Sequence, residues 1–171
     1  MNSHSRLAGK FSAYEICSLA LIGALMFAIK AALAALPNIH LNAVLIILAV
    51  VFFGAKAIYS VLIYIMLEGM IFGFGLWWLS YLYIWPTFSF VALIFRKNDS
   101  AMIWAVIAAV FGLSFGALCA IPYLFIGGVE MAFSYWISGI PFDLSHCAGN
   151  FIITLLLYKP LYRIMAKLIK Q

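Results

Sequence analysis

Apolar stretches of membrane-spanning length follow one another along this chain with little more than turn residues between them, and that succession leaves few folds open. A helix crosses the hydrocarbon core of a bilayer with about 20 mostly apolar residues, in a range of about 17–25. Stretches of this kind run over 14–36, 57–75, 79–95, 102–126 and 141–158, and a shorter one covers 41–53. Their punctuation is explicit: Pro37-Asn38-Ile39-His40, Gly54-Ala55-Lys56, Arg96-Lys97-Asn98-Asp99-Ser100 and Gly127-Gly128. Pro141 suits the first turn of the last helix. The mixed, aromatic segment 129–140 reads as a loop or interfacial segment, and 159–171 as a basic amphipathic tail.

Composition closes off the alternatives. Of the 171 residues 68% are hydrophobic and 9% charged, with a mean hydropathy of +1.16. A soluble domain carries about 45–50% apolar and about 25% charged residues, so no water-soluble core can hide this chain's apolar surface. A soluble enzyme, a disordered chain and a disulfide-stapled secreted domain are excluded. Too few alternating ten-residue segments are present for a barrel. Cys17, Cys119 and Cys147 have no metal-like spacing and read as small apolar fillers. The expectation is one all-α integral membrane domain over 1–171.

The basic residues orient it. Nine of the ten Lys and Arg fall in the N-terminal tail (Arg6, Lys10), the 54–56 turn (Lys56), the 96–100 turn (Arg96, Lys97) and the C-terminal tail (Lys159, Arg163, Lys167, Lys170). The connections near 37–42, 75–79 and 127–140 hold none, which predicts six spans with both termini cytoplasmic. The first apolar run is too long for a cleaved signal peptide, and Lys30 sits just before the would-be cleavage site, so it is expected to stay as the first helix.

The tenth basic residue, Lys30, lies inside a span, and an ionisable group there costs about 2.5–3.5 kcal/mol on insertion scales. At about 1.5 Å per residue it sits about 9 Å below the outer surface, and Glu68 in the third helix about 10 Å. Opposite charges at matching depth invite an ion pair, which either fixes packing or faces a ligand cavity. On the last helix Asp143, His146 and Asn150 share one face near the outer end. Asp143 also fits a helix start, and all three also suit hydrogen bonds between helices. Four of the five Trp lie at the outer face: Trp77, Trp78, Trp85 and Trp136, with Tyr81, Tyr83, Tyr123 and Tyr135 nearby, while Trp104 is alone near the inner face. An interfacial belt populates both interfaces. The asymmetry therefore favours an outer aromatic pocket for a flat ligand, with Lys30, Glu68, Trp78, Tyr81, Trp85, Tyr123, Trp136, Asp143, His146 and Asn150 as candidate ligand contacts.

Helix 1 also carries a stripe of small residues, Ala24, Ala28 and Ala32, suited to close approach by another helix, inside this chain or on a separate subunit. Gly112, Ser114, Gly116 and Ala117 do the same for helix 5. No nucleotide-binding loop, zinc-protease motif or serine nucleophile with a plausible base is present, His4, His40 and His146 make no convincing metal site, and no pair of half-chain repeats signals an autonomous transporter. The chain reads as a binding subunit whose motor lies elsewhere, with no cofactor of its own and no catalytic residues.

Taken together, six helices in a chain of this size, the Ala28-x-x-x-Ala32 stripe, the opening Gly139-Ile140-Pro141-Phe142-Asp143-Leu144 and the ending Leu157-Tyr158-Lys159-Pro160-Leu161 resemble the substrate-binding S components of energy-coupling factor transporters, bacterial and archaeal importers of vitamins and their precursors. The opening and ending look like those of the riboflavin and folate members. The resemblance implies capture of a vitamin-like molecule from outside, in a cavity built by helices 4–6 and the outer loops. It implies partnership with a membrane coupling protein, contacted through the helix 1 alanines, and with two ATPases that hydrolyse the ATP. It also implies a multi-pass location in the cytoplasmic membrane and toppling of the subunit to release ligand inside. Two other classes stay open: a structural subunit of another membrane complex, and a small intramembrane enzyme using Glu68, Asp143 or His146.

Overall fold

The computed structural model describes residues 11–34 and 40–169. The expected turn at 37–39 and the basic residues Arg6, Lys10 and Lys170 lie outside them. Among the described residues every regular element is helical.

Helix α1 (Ala13–Ala32) starts at a capping box: Ser12 Oγ accepts from the Glu15 amide at 3.1 Å, and the Glu15 carboxylate accepts from the Ser12 amide at 2.9 Å. Helix α2 (Asn42–Phe53) stops at Gly54, whose φ of 62° is natural for glycine alone. A single 3₁₀ turn (Gly54–Ala57) leads into α3 (Ile58–Phe72), which ends at Gly73 with φ 90°. Helix α4 (Leu76–Ile94) carries Pro86 inside it. Helix α5 (Ala101–Ile169) is interrupted at Gly127 and Gly128, giving a first arm over 101–126 and a second over 129–169.

Contacts between elements give each leg its direction. The pairs Glu15–Lys56 (2.8 Å), Leu19–Ser60 (2.8 Å, hydroxyl to carbonyl) and Lys30–Glu68 advance together along α1 and α3, so these two run parallel. Close approach is possible because Gly23 faces α3: a Cβ there would lie 2.6 Å from the Ser60 carbonyl oxygen. The two arms of α5 run antiparallel, paired by Tyr123 on Tyr135 (4.2 Å between centroids), Gly116 to Asp143, Asn150 to Ala108 and Trp104 to Tyr158. Helix α4 lies antiparallel to the first arm, with Tyr83 donating to the Leu118 carbonyl at 2.6 Å and Phe88 stacked on Phe111 at 4.2 Å.

Helix α2 is the centre. Asn42 and the eight residues after it are all buried, as expected of a helix apolar on every side. Its 12 residues rise about 18 Å, short of the bilayer core of about 30 Å. Its start meets Trp85 and His146 through His40, and its end meets Arg96 and Tyr162.

Four helical stretches are long and apolar enough to cross a membrane: Ala13–Ala32, Asn42–Phe72, Leu76–Ile94 and Ala101–Ile169. Large apolar side chains cover the outside, among them Leu21, Ile71, Phe90, Phe125 and Leu156. A surface this apolar suits lipid rather than water.

Besides shifts of up to four residues at other helix ends, two boundaries differ more from the sequence reading. Residues 129–140 are helical, not a loop, because Gly127 and Gly128 alone make the reversal and Tyr135 then stacks back on Tyr123. The second arm also runs on through Pro160 to Ile169, where its end accepts from Tyr14 on α1 (3.3 Å to the Leu168 carbonyl).

Candidate functional site

All the described Lys and Arg except Lys30 gather at one end of the bundle, tied there by Lys56–Glu15 and by Arg96 donating to the Val51 carbonyl at 3.3 Å. The other half holds a buried cluster of polar and aromatic side chains drawn from every helix.

Lys30, in the last turn of α1, forms an ion pair with Glu68 of α3 and donates to the Tyr81 hydroxyl at 3.3 Å. Glu68 is 1% exposed, and its Oε1 has no hydrogen-bond partner. Tyr81 and Trp85, one turn apart on α4, meet Tyr64 of α3 at 6.3 and 5.6 Å, and Phe115 of the first arm at 6.1 and 5.7 Å. Trp85 also packs on Phe111 at 5.5 Å. The spacing of four that puts Tyr81 above Trp85 on α4 puts Phe115 above Phe111 on the antiparallel first arm, so four rings form one continuous wall.

The second arm contributes Asp143, His146 and Asn150, all buried on its inward face. Asn150 Nδ2 donates to the Ala108 carbonyl at 3.1 Å, and Asp143 Oδ1 accepts from the Gly116 amide at 2.8 Å. The His146 ring stands edge-on to Phe115 at 4.9 Å and to His40 at 5.0 Å. Glycine at 112 and 116 lets the arms close this tightly, since a Cβ on Gly112 would sit 2.8 Å from the His146 carbonyl oxygen.

What distinguishes the cluster is hydrogen-bonding capacity that the protein does not use. His40 Nδ1, both His146 ring nitrogens, Glu68 Oε1, Asp143 Oδ2, Asn150 Oδ1 and Trp85 Nε1 are buried without a partner. A buried polar group left unpaired costs about 1–3 kcal/mol, so native chains rarely concentrate several of them. A cavity of about 300 Å³ reaches the edge of this cluster at Asp143 and Phe115, and Gly116, Cys119, Tyr135 and Phe142 also line it. The cluster and the cavity at its edge together present donors, acceptors and flat apolar faces.

Not every expected residue joins. Lys30, Glu68, Tyr81, Trp85, Asp143, His146 and Asn150 come together, whereas Trp78 fastens the α3–α4 turn by donating to the Ile65 carbonyl at 2.9 Å and packing on Phe74. Tyr123 stacks on Tyr135, which reaches the cavity, and Trp136 stands outside against Phe133. Sequence reasoning missed His40, Tyr64, Phe111 and Phe115. The phenylalanines carry no local mark that sets them apart from lipid-facing ones, and His40 was hidden in what looked like a plain turn. Ala24, Ala28 and Ala32 are exposed on the side of α1 away from Leu19, Gly23 and Met26. Among the described residues no group of three His, Cys, Asp or Glu side chains is placed to hold a metal ion.

No family model matches the chain, and neither a curated protein nor a solved structure matches it.

Proposed function

We propose that this chain is the substrate-binding membrane subunit of an energy-coupling factor importer, with six spans and both termini in the cytoplasm, capturing a small vitamin-like heterocycle at the outer face. The observation that carries the reading is the convergence of unpaired buried polar atoms and aromatic rings at the end of the bundle opposite the lysines and arginines. By the positive-inside rule that end faces outward, and a polar, ring-lined cluster there suits uptake from outside. The alternating legs and the resemblance in the last helix support the same reading, as does the lack of a catalytic constellation in the sequence. Energy for transport comes from a coupling protein and two ATPases.

Two expected results test it. The protein purified alone quenches its tryptophan fluorescence on binding the molecule it carries, because Trp85 lies in the cluster. His146→Ala and Asn150→Ala each weaken that binding by about 1–3 kcal/mol, the cost of an unpaired polar group, which is about 5-fold to 150-fold in Kd. Binding unchanged in both variants moves the pocket elsewhere. The coupling face is tested separately: Ala28→Trp on the exposed side of α1 should prevent co-purification with the coupling protein and ATPases while leaving ligand binding intact. Full recovery of those partners by the variant counts against the helix 1 surface.

A further inference from the structure

We propose that Glu68, Tyr64 and Tyr81 form the seat of an organic cation, a ring-bearing amine or ammonium, and that Lys30 is a built-in competitor which that cation displaces. The inference rests on the binding-subunit reading and names its substrate class.

The Lys30 ammonium is held as a cationic ligand is held. It pairs with the Glu68 carboxylate, lies 5.0 Å from the Tyr81 ring centroid and 5.9 Å from that of Tyr64, and donates to the Tyr81 hydroxyl. A carboxylate flanked by ring faces attracts cations of any origin. The two sides of this contact differ in mobility. Tyr64 and Glu68 are at most 1% exposed, and the two tyrosines are braced by Trp85 at 5.6 and 5.8 Å. Lys30 sits on a flexible stem in the last turn of α1 with its side chain 26% exposed, and such a stem can carry its charge outward. When it leaves, the cage remains.

Two further features select a cation over an anion. Lys30 uses one oxygen of Glu68, and Oε1 is left to face a cation. Lys30 and Glu68 cancel in charge, but Asp143 has no basic partner among the described residues: its Oδ1 accepts from the Gly116 amide, and its buried Oδ2 accepts from nothing. His40 and His146 also face the cluster. A ligand cation that replaces Lys30 keeps the Glu68 charge balanced and frees the lysine into water. An anion would have to draw Lys30 away from Glu68 and leave that buried carboxylate without its partner.

The full chain in detergent is titrated with benzyltrimethylammonium, benzyl alcohol and benzoate, followed by tryptophan fluorescence. Saturable quenching is expected for the ammonium alone. Lys30→Met should tighten it about tenfold if the open cage is about a tenth of the population, and Glu68→Gln should weaken it at least as much. Because Lys30→Met strands a buried carboxylate, the wild type supplies an independent readout. Acetylation of Lys30 by an N-hydroxysuccinimide ester, mapped by mass spectrometry, should accelerate severalfold when benzyltrimethylammonium is present. Unchanged or slower acetylation overturns the proposal, as does failure of the ammonium to saturate or an equal response to benzyl alcohol. Saturation by benzoate that is lost in Lys30→Met makes Lys30 a ligand for anions; it overturns the cation assignment and leaves the binding-subunit reading standing.

Discussion

Lys30→Met is expected to lower the thermal midpoint of the detergent-purified protein more than Glu68→Gln, and the double variant should recover most of the loss. The pair is asymmetric: Glu68 is 1% exposed, whereas the Lys30 side chain is 26% exposed. Removing the lysine strands a carboxylate that has no other partner, and breaking a buried pair from one side costs about 3–5 kcal/mol. Removing the Glu68 charge leaves an ammonium that can turn toward the bundle end, so its loss is smaller. Two neutral side chains in the double variant need no compensation, and the difference between the double change and the sum of the singles measures the coupling. Thermal unfolding of all four proteins checks this. Single variants as stable as the wild type contradict the pairing as a stability element. Added benzyltrimethylammonium should rescue Lys30→Met specifically, since it supplies the missing cation.

Gly112→Val should be nearly as damaging, for a different reason. The Cβ would press on the His146 carbonyl oxygen at 2.8 Å and the Cys147 amide nitrogen at 2.9 Å, both backbone atoms that cannot swing aside. The arms of α5 must then separate, and overpacking of this kind costs about 1–3 kcal/mol, occasionally more. Separation also moves His146 and Asn150 away from the first arm, so ligand binding is expected to fall with stability. Gly139→Ala is the matched control: its Cβ would meet nothing within 4 Å, and alanine is the better helix former by about 0.5–1 kcal/mol. Size-exclusion profiles after graded heating separate the two. An unaffected Gly112→Val protein contradicts the close arm packing.

The contrast between these variants shows what the sequence carried. Turn chemistry was legible because it is local: Gly54, Gly73 and Gly128 take positive φ where the apolar runs break. Matching depth was legible too, and it put Lys30 against Glu68; helical spacing put Asp143, His146 and Asn150 on one inward face. Which face of an apolar helix turns inward was much harder to read. In a water-soluble helix polar residues mark the outside, but here Phe111, which is buried, and Phe125, which is exposed, carry the same side chain. Only tertiary contact distinguishes them, so Phe111, Phe115 and Tyr64 went unrecognised, while Trp136 was drawn in though it packs on Phe133. Segment 129–140 misled for a related reason. Its mixed polar and aromatic composition resembles a loop, yet its helix is held by Tyr123–Tyr135 stacking across the reversal, a contact no local pattern reveals.

The central claim is that the buried polar and aromatic cluster is a ligand pocket, and its most direct test is the small-molecule content of the protein itself. The chain is purified alone in detergent, denatured, and the released compounds are identified by mass spectrometry beside a His146→Ala/Asn150→Ala preparation of equal amount and equal folded fraction. The account predicts one ring-containing, water-soluble molecule released in stoichiometric amount from the wild type and strongly depleted from the variant. Release of lipid and detergent alone, from wild type and variant alike, contradicts it.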